Sequence, residues 1–238
     1  MRFNFPPLTP LVKYLLVFLG GLFVLGAVLA LFDVSLLELL GLPLSYAGGV
    51  PWSLAWQALT FWMVYPADPR ELVGFVMTLV MLYFFLSPFE QTFGKKRTVI
   101  LGVLTVLAAS AVAIPLAFVV PRPFPLYGAS ALAAAAFGAF PVLFRDQEIM
   151  LFPLLVRMKA WTALLLGIGI TALLAVLNRD LHMFVVDVTA IGVGVGYTKW
   201  LVRPPKQDQP PKAKRRKGGP PLRVIDGGAD DSGPRWLN

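Results

Sequence analysis

The residues of this chain best suited to chemistry are Ser130 and His182. Ser130 follows Tyr127-Gly128-Ala129 near the start of the fourth of six long apolar runs. A serine hydroxyl held where a membrane helix meets water acts as a nucleophile only when a base lies within hydrogen-bonding reach. His182 is the single histidine, and it stands at the beginning of the sixth run. The sequence offers one candidate nucleophile and one candidate base, far apart along the chain.

The elements that must position these residues are membrane helices. Hydrophobic residues make up 57% of the 238 residues, and the mean hydropathy is +0.72. Apolar runs of about 20 residues are long enough to span a hydrocarbon core of about 30 Å. We therefore predict an all-α integral membrane fold with six transmembrane helices. They correspond to Leu11–Phe32, Glu71–Phe89, Thr98–Val120, Leu126–Phe144, Ala160–Leu177 and His182–Val202.

Metals, cofactors and nucleic acid are not expected as partners. The chain has no cysteine and one histidine, which excludes disulfides, zinc thiolate sites and multi-histidine metal sites. The net charge is +8, but the basic residues flank the apolar runs or lie in the last thirty-odd residues. That distribution is typical of membrane topology, so membrane lipid is the expected contact.

The segment Asp33–Arg70, between the first two runs, is rich in tryptophan. Tryptophan and tyrosine favour the membrane–water interface, so we predict an interfacial first loop that lies along the outer face. Short helices are expected at Val34–Leu42 and Trp52–Tyr65, separated by Gly48-Gly49-Val50-Pro51.

Lysine and arginine divide unevenly between the two ends of the runs. If the amino terminus is cytoplasmic, only Arg70, Arg122 and Arg179 fall on the opposite side. We therefore predict a cell-membrane protein with both termini in the cytoplasm. Residues 1–203 would form the membrane domain. Residues 204–238 would form a disordered basic tail, because they contain few large apolar residues.

Small residues recur at a spacing of four in two of the runs. The fourth run has Ser130, Ala134 and Gly138, preceded by Gly128, and the sixth has Gly192 and Gly196. Small residues at this spacing let membrane helices approach closely. We expect the two runs to pack against each other, which gives Ser130 a packing role as an alternative to a chemical one.

Asp187 is a carboxylate within the sixth run. A charged group inside a membrane helix is costly unless it faces water or a partner. We expect Asp187 to pair with a polar group of the first loop, such as Ser53 or Thr60, or to line a water-filled cavity.

Four short motifs follow one another along the chain. They are Trp56-Gln57-Ala58-Leu59-Thr60, Phe89-Glu90 with Phe93-Gly94, Tyr127-Gly128-Ala129-Ser130-Ala131, and Gly192-Val193-Gly194-Val195-Gly196-Tyr197. In that order they resemble the Trp-Arg-x-x-Thr, Leu-Glu-x-x-x-Gly, Gly-x-Ser-Gly and His-x-x-Gly-x-x-x-Gly motifs of the rhomboid family of intramembrane serine proteases. The resemblance covers about Leu11 to Arg203 and implies a rhomboid-like fold.

The departures from the family fall on the chemistry. Counting back from Gly192 and Gly196, the catalytic histidine position is occupied by Thr189. Counting back from Glu90, the family's His-x-x-x-Asn of the oxyanion site is replaced by Gly74 and Thr78. Threonine cannot remove a serine proton. His182 precedes Thr189 by about 10 Å along the helix axis, so we expect it at the outer surface.

These departures favour a non-catalytic rhomboid-like protein, a pseudoprotease that binds the transmembrane segments of client proteins. The alternative is an active intramembrane serine endopeptidase with Ser130 as nucleophile and His182 as base. A small transporter is disfavoured because the chain lacks repeated halves.

Overall fold

The computed structural model describes residues 7–44, 52–120, 125–145, 148–151, 156–178 and 180–203. The predicted break at Gly48–Pro51 and the tail from Pro204 onward lie outside these residues. The helices are α1 (Pro10–Ala30), α2 (Leu36–Leu40), α3 (Leu54–Thr60), α4 (Glu71–Met81), α5 (Ser87–Phe93), α6 (Lys95–Val119), α7 (Ser130–Leu143), α8 (Ala160–Asn178) and α9 (Leu181–Val202). A 3-10 turn, Phe61–Met63, follows α3, and a π turn, Leu82–Leu86, joins α4 to α5.

The predicted all-α membrane fold is confirmed. Among the described residues, five helices are long and apolar enough to cross a membrane. One of these spans, Glu71–Phe93, consists of α4, the π turn and α5. The sixth apolar helix, α7, has only 14 residues. One element was not predicted. An antiparallel hairpin of β1 (Glu148–Leu151) and β2 (Val156–Lys159), with Glu148 opposite Lys159, connects α7 to α8.

The short helix α7 lies at the centre of the domain. Eight of its residues are buried, and it packs against α4, α6, α8 and α9. At 1.5 Å per residue its length is about 21 Å, less than the hydrocarbon thickness. The chain therefore enters α7 from an irregular segment below the membrane surface. Irregular backbone at that depth is tolerated only where protein groups take up its hydrogen bonds.

The first loop supplies those groups. The backbones of Leu42 and Leu126 exchange two hydrogen bonds, with N···O distances of 2.9 and 2.6 Å. Gly128 N–H donates to the Phe61 carbonyl at 3.0 Å, and Ala129 N–H donates to the Tyr65 hydroxyl at 2.9 Å. The loop is therefore a structural support for the start of α7 as well as an interfacial element.

The loop itself is held by the Trp56–Thr60 motif. Three of its side chains donate to the last carbonyls of α2, which have no partner within that short helix. Trp56 donates to Leu39 at 3.0 Å, Gln57 to Glu38 at 2.9 Å, and Thr60 to Leu40 at 3.0 Å. Gln57 is buried and also accepts from the Ser53 hydroxyl. The amide of Gln57 thus holds the loop from the position where the family carries arginine.

The second span is tied to the first by Glu90. Its carboxylate is buried and accepts from Leu11 N–H and Val12 N–H, each at 3.1 Å. These two N–H groups belong to the first turn of α1 and have no carbonyl partner within the helix. A carboxylate at a helix amino terminus also interacts favourably with the helix dipole. The first two spans are thereby fixed at one end of the bundle.

The closest helix crossing joins α7 to α9 through Gly138 and Gly194. A Cβ added to Gly194 would lie 2.0 Å from the Ala135 carbonyl oxygen, and one added to Gly138 would lie 2.5 Å from that of Ile191. The expectation that Gly192 and Gly196 form this crossing is wrong. An added Cβ at either residue meets no atom within 4 Å. Gly192, Gly194 and Gly196 are two residues apart, so Gly194 lies on the opposite face of the helix from the other two.

Candidate functional site

Ser130 is the first residue of α7 and is partly buried. The chain reaches it through Gly128, whose φ of 86° lies in the left-handed region. A Cβ on Gly128 would lie 2.9 Å from the Tyr65 ring, so glycine is needed there for space as well as for conformation. This turn presents the Ser130 side chain toward α9. Ala134, one turn further along, is partly buried against the core.

Asp187 is the residue that α9 brings to Ser130. Its carboxylate lies next to the Ser130 side chain, and one of its oxygens, Oδ1, is buried without a hydrogen-bond partner among the described residues. The expected pairing with Ser53 or Thr60 is not observed. The Ser53 hydroxyl donates to Gln57, and that of Thr60 donates to backbone carbonyls.

The pairing with Asp187 corrects the predicted register of α9. In the family motif His-x-x-Gly-x-x-x-Gly, the histidine lies three residues before the first glycine and seven residues before the second. Measured from the observed crossing, this spacing is Asp187-x-x-Ala190-x-x-x-Gly194, and Ala190 is fully buried. At this spacing from the observed crossing lies Asp187, whereas Thr189 was predicted. The Thr189 hydroxyl donates to the Val185 carbonyl of its own helix at 2.7 Å.

His182 is the second residue of α9, and its side chain is fully buried. It begins a stripe of buried residues at a spacing of four, which continues through Val186, Ala190, Gly194 and Thr198. His182 precedes Asp187 by five residues, about 7.5 Å along the axis and roughly 140° around it. The two side chains therefore leave α9 in different directions and at different depths.

The positions of the family's oxyanion donors are occupied by a different hydrogen-bond chain. Tyr65 accepts from Ala129 N–H at 2.9 Å, and its hydroxyl lies within hydrogen-bonding reach of Thr78. The Thr78 hydroxyl donates to the Gly74 carbonyl at 2.9 Å. The Tyr65 ring stacks edge-on against Phe75, with ring centroids 4.8 Å apart. This aromatic side chain was predicted to be interfacial, and no sequence signal placed it beside Ser130.

Two tyrosines next to the site remain protonated well above neutral pH. Burial raises the pKa of Tyr65 above its usual range, and the charges of Glu71 and Asp187 act in the same direction. Burial, followed by the charge of Glu71, raises the pKa of Tyr127 to about 12. Both phenols are therefore neutral at physiological pH.

Within the described residues, no group of three His, Asp or Glu side chains is placed to hold a metal ion. The polar contacts of the site are Ser130 with Asp187 and Tyr65 with Thr78, joined through Ala129, whose N–H donates to Tyr65.

Comparison with known proteins agrees with the architecture around this site. The family model of the rhomboid domain matches residues 55–203, which are more than half of the chain and include α4 to α9. A search of curated proteins gives no match. The described residues contain six apolar helices, and the short central one begins at a serine. Together with the match, this shows that the chain is a multi-pass membrane protein that belongs to the rhomboid family.

Proposed function

We propose that this protein is a non-catalytic rhomboid, a pseudoprotease that binds transmembrane segments of client proteins beside Ser130 and Asp187. The observation that carries the proposal is the Asp187 carboxylate beside Ser130, where we infer that it stands in place of the family's catalytic histidine. The alternative function is serine endopeptidase activity within the membrane, with Ser130 as the nucleophile.

The charge of the Ser130–Asp187 pair argues against proteolysis. In a serine–histidine pair the base becomes a cation beside the developing oxyanion and stabilises it. An aspartate that takes up the same proton becomes neutral, so the negative charge of the oxyanion stays uncompensated in an apolar site. Electrostatic stabilisation of that charge is usually the largest contribution to acyl-transfer catalysis.

The hydrogen bonds around Ser130 give a second argument. The N–H groups of Gly128 and Ala129 already donate to the first loop, and the Thr78 hydroxyl donates within α4. An oxyanion needs donors aimed at the position where its charge develops. These three donors are engaged by the protein itself.

The same site suits the binding of a client helix. Asp187 Oδ1 is a buried acceptor without a partner among the described residues, and such a group favours a donor from a ligand. A Cβ added to Gly74 would meet only the Glu71 side chain within 4 Å, so no other described helix covers α4 at this residue. A client segment that carries a lysine or a serine would supply the missing donor, entering beside α4 and α8 under the first loop.

A fluorophosphonate probe, applied in detergent, tests the absence of catalysis. We expect no labelling of the wild type above that of Ser130→Ala. We also expect Asp187→His to gain labelling at Ser130, whereas Thr189→His does not. Wild-type labelling that disappears in Ser130→Ala would support the protease alternative and overturn the proposal.

Client binding is tested with a photo-crosslinking residue at Met77 on α4, and a matched control at Val103 on α6. Both side chains are exposed on apolar helices. The probe is a polyleucine single-span peptide with or without one central lysine. We expect more crosslinking of the lysine peptide at Met77 than at Val103, and we expect Asp187→Asn to reduce it. Equal yields at both positions, unaffected by Asp187→Asn, would contradict client binding at this site.

A further inference from the structure

A cavity with basic residues lies at the opposite end of the bundle from Ser130. It has a volume of about 390 Å³ and lies between the end of α7, the start of α8 and the end of α9. The residues that line it are Pro141, Val142, Arg145, Trp161, Lys199, Val202 and Arg203. This volume falls in the range of small-molecule sites, about 300–1,000 Å³.

We propose that this cavity binds the phosphate head group of an anionic glycerophospholipid. Among the described residues that line it are three cations, Arg145, Lys199 and Arg203, and no carboxylate. The cations come from the ends of two different helices, α7 and α9, and converge on one space. Basic pockets between membrane helices bind phosphate-containing lipid head groups.

The aromatic wall of the cavity matches the depth of a lipid head group. Trp161 lies in the first turn of α8, and the Lys199 ammonium lies over its ring, 5.5 Å from the centroid. Tryptophan near the end of a membrane helix sits at the interface. The indole therefore holds one cation at the level where the phosphate of a membrane lipid lies.

The remaining lining explains the preference for a lipid over a free anion. Pro141, Val142 and Val202 form an apolar wall next to the three cations. A phosphate alone would leave this wall in contact with water, whereas the glycerol and upper acyl chain of a lipid would cover it. The helix-dipole effect accounts for single cations near the carboxyl ends of α7 and α9, but not for a shared cavity with an aromatic and apolar lining.

Native mass spectrometry of the detergent-solubilised protein, titrated with phosphatidylglycerol or phosphatidylcholine, tests this proposal. We expect phosphatidylglycerol to bind at least tenfold more tightly than phosphatidylcholine. Replacing Arg145, Lys199 or Arg203 singly by glutamine should weaken phosphatidylglycerol binding about fivefold each, as expected for one basic residue near an anionic lipid. The matched control is Lys96→Gln, an exposed cation on α6 that does not line the cavity.

The thermal stability of each variant in phosphatidylcholine shows whether it is folded, and only folded variants are compared. Inorganic phosphate is titrated in parallel. Phosphate that displaces bound phosphatidylglycerol only above millimolar concentration would support a lipid site. Equal binding of the two lipids, an equal loss in Lys96→Gln, or phosphate binding as tight as that of the lipid would overturn the proposal.

Discussion

The substitution Gly194→Ala tests the helix crossing on which the position of Asp187 depends. An alanine Cβ at this residue would lie 2.0 Å from the Ala135 carbonyl oxygen and 2.8 Å from its carbonyl carbon. Real Cβ atoms essentially never come within 3.0 Å of another heavy atom. Both contacts are with backbone, which cannot move aside by a side-chain rotation. Helices α7 and α9 must therefore separate by about 1 Å.

The cost of that separation follows from opposing effects. Overpacking of a well-packed interior costs about 1–3 kcal/mol, and more when the backbone is displaced. Replacing glycine by alanine within a helix stabilises the helix by about 1 kcal/mol. Because the clash is with main-chain atoms, we expect a cost at or above the upper end of that range, about 3–4 kcal/mol. After the helix-propensity gain, the net loss is about 2–3 kcal/mol. For a domain of 150–250 residues, this lowers the Tm by about 4–12 °C.

The assay is thermal unfolding in detergent, with Gly192→Ala as the matched control. Gly192 lies on the same helix, two residues away, and an added Cβ there meets no atom within 4 Å. We expect Gly192→Ala to keep or raise the Tm, since it gains helix propensity without a clash. If Gly194→Ala leaves the Tm unchanged and Gly192→Ala lowers it, the crossing and the register derived from it are refuted.

Three further outcomes are expected. Tyr65→Phe removes the acceptor of the buried Ala129 N–H and should lower the free energy of unfolding by about 1–3 kcal/mol, whereas Tyr14→Phe, at an exposed position, should have no effect on the Tm. Topology reporters fused at either terminus should both report the cytoplasm, and an extracytoplasmic signal at Asn238 would contradict this. Truncation after Arg203 should leave membrane accumulation and the Tm intact, because the tail lacks apolar periodicity, and a loss of accumulation with normal translation would show that the tail is structural.

The number and order of the membrane helices could be predicted because apolar length alone identifies a span. The first residue of α7 could not be predicted from apolar length. The apolar run begins at Leu126, whereas the helix begins at Ser130. The difference is set by the positive φ of Gly128 and by hydrogen bonds from the first loop. These contacts join residues more than sixty positions apart, and hydrophobicity carries no information about them.

The register of α9 shows how a spacing argument fails at the level of single residues. Gly192 and Gly196 form the small-x-x-x-small pair that a sequence search favours, but the crossing uses Ala190 and Gly194. Alanine is also small enough for a close approach, so the pattern fits two registers and only packing against Ala135 distinguishes them. Counting from Gly192 and Gly196 leads to Thr189, whereas counting from Ala190 and Gly194 leads to Asp187. Asp187 was recognised as unusual because of its charge, but its partner could not be named.

The contact of Glu90 with the start of α1 has a consequence for biosynthesis. Glu90 is separated from Leu11 and Val12 by 79 and 78 residues, so α1 emerges from the ribosome and enters the membrane long before its partner carboxylate exists. During that interval the first N–H groups of α1 depend on water or lipid head groups. The final position of α1 is set only when the second span has entered the bilayer. A nascent chain that ends before Glu90 should therefore insert α1 but leave it free to shift along the membrane normal.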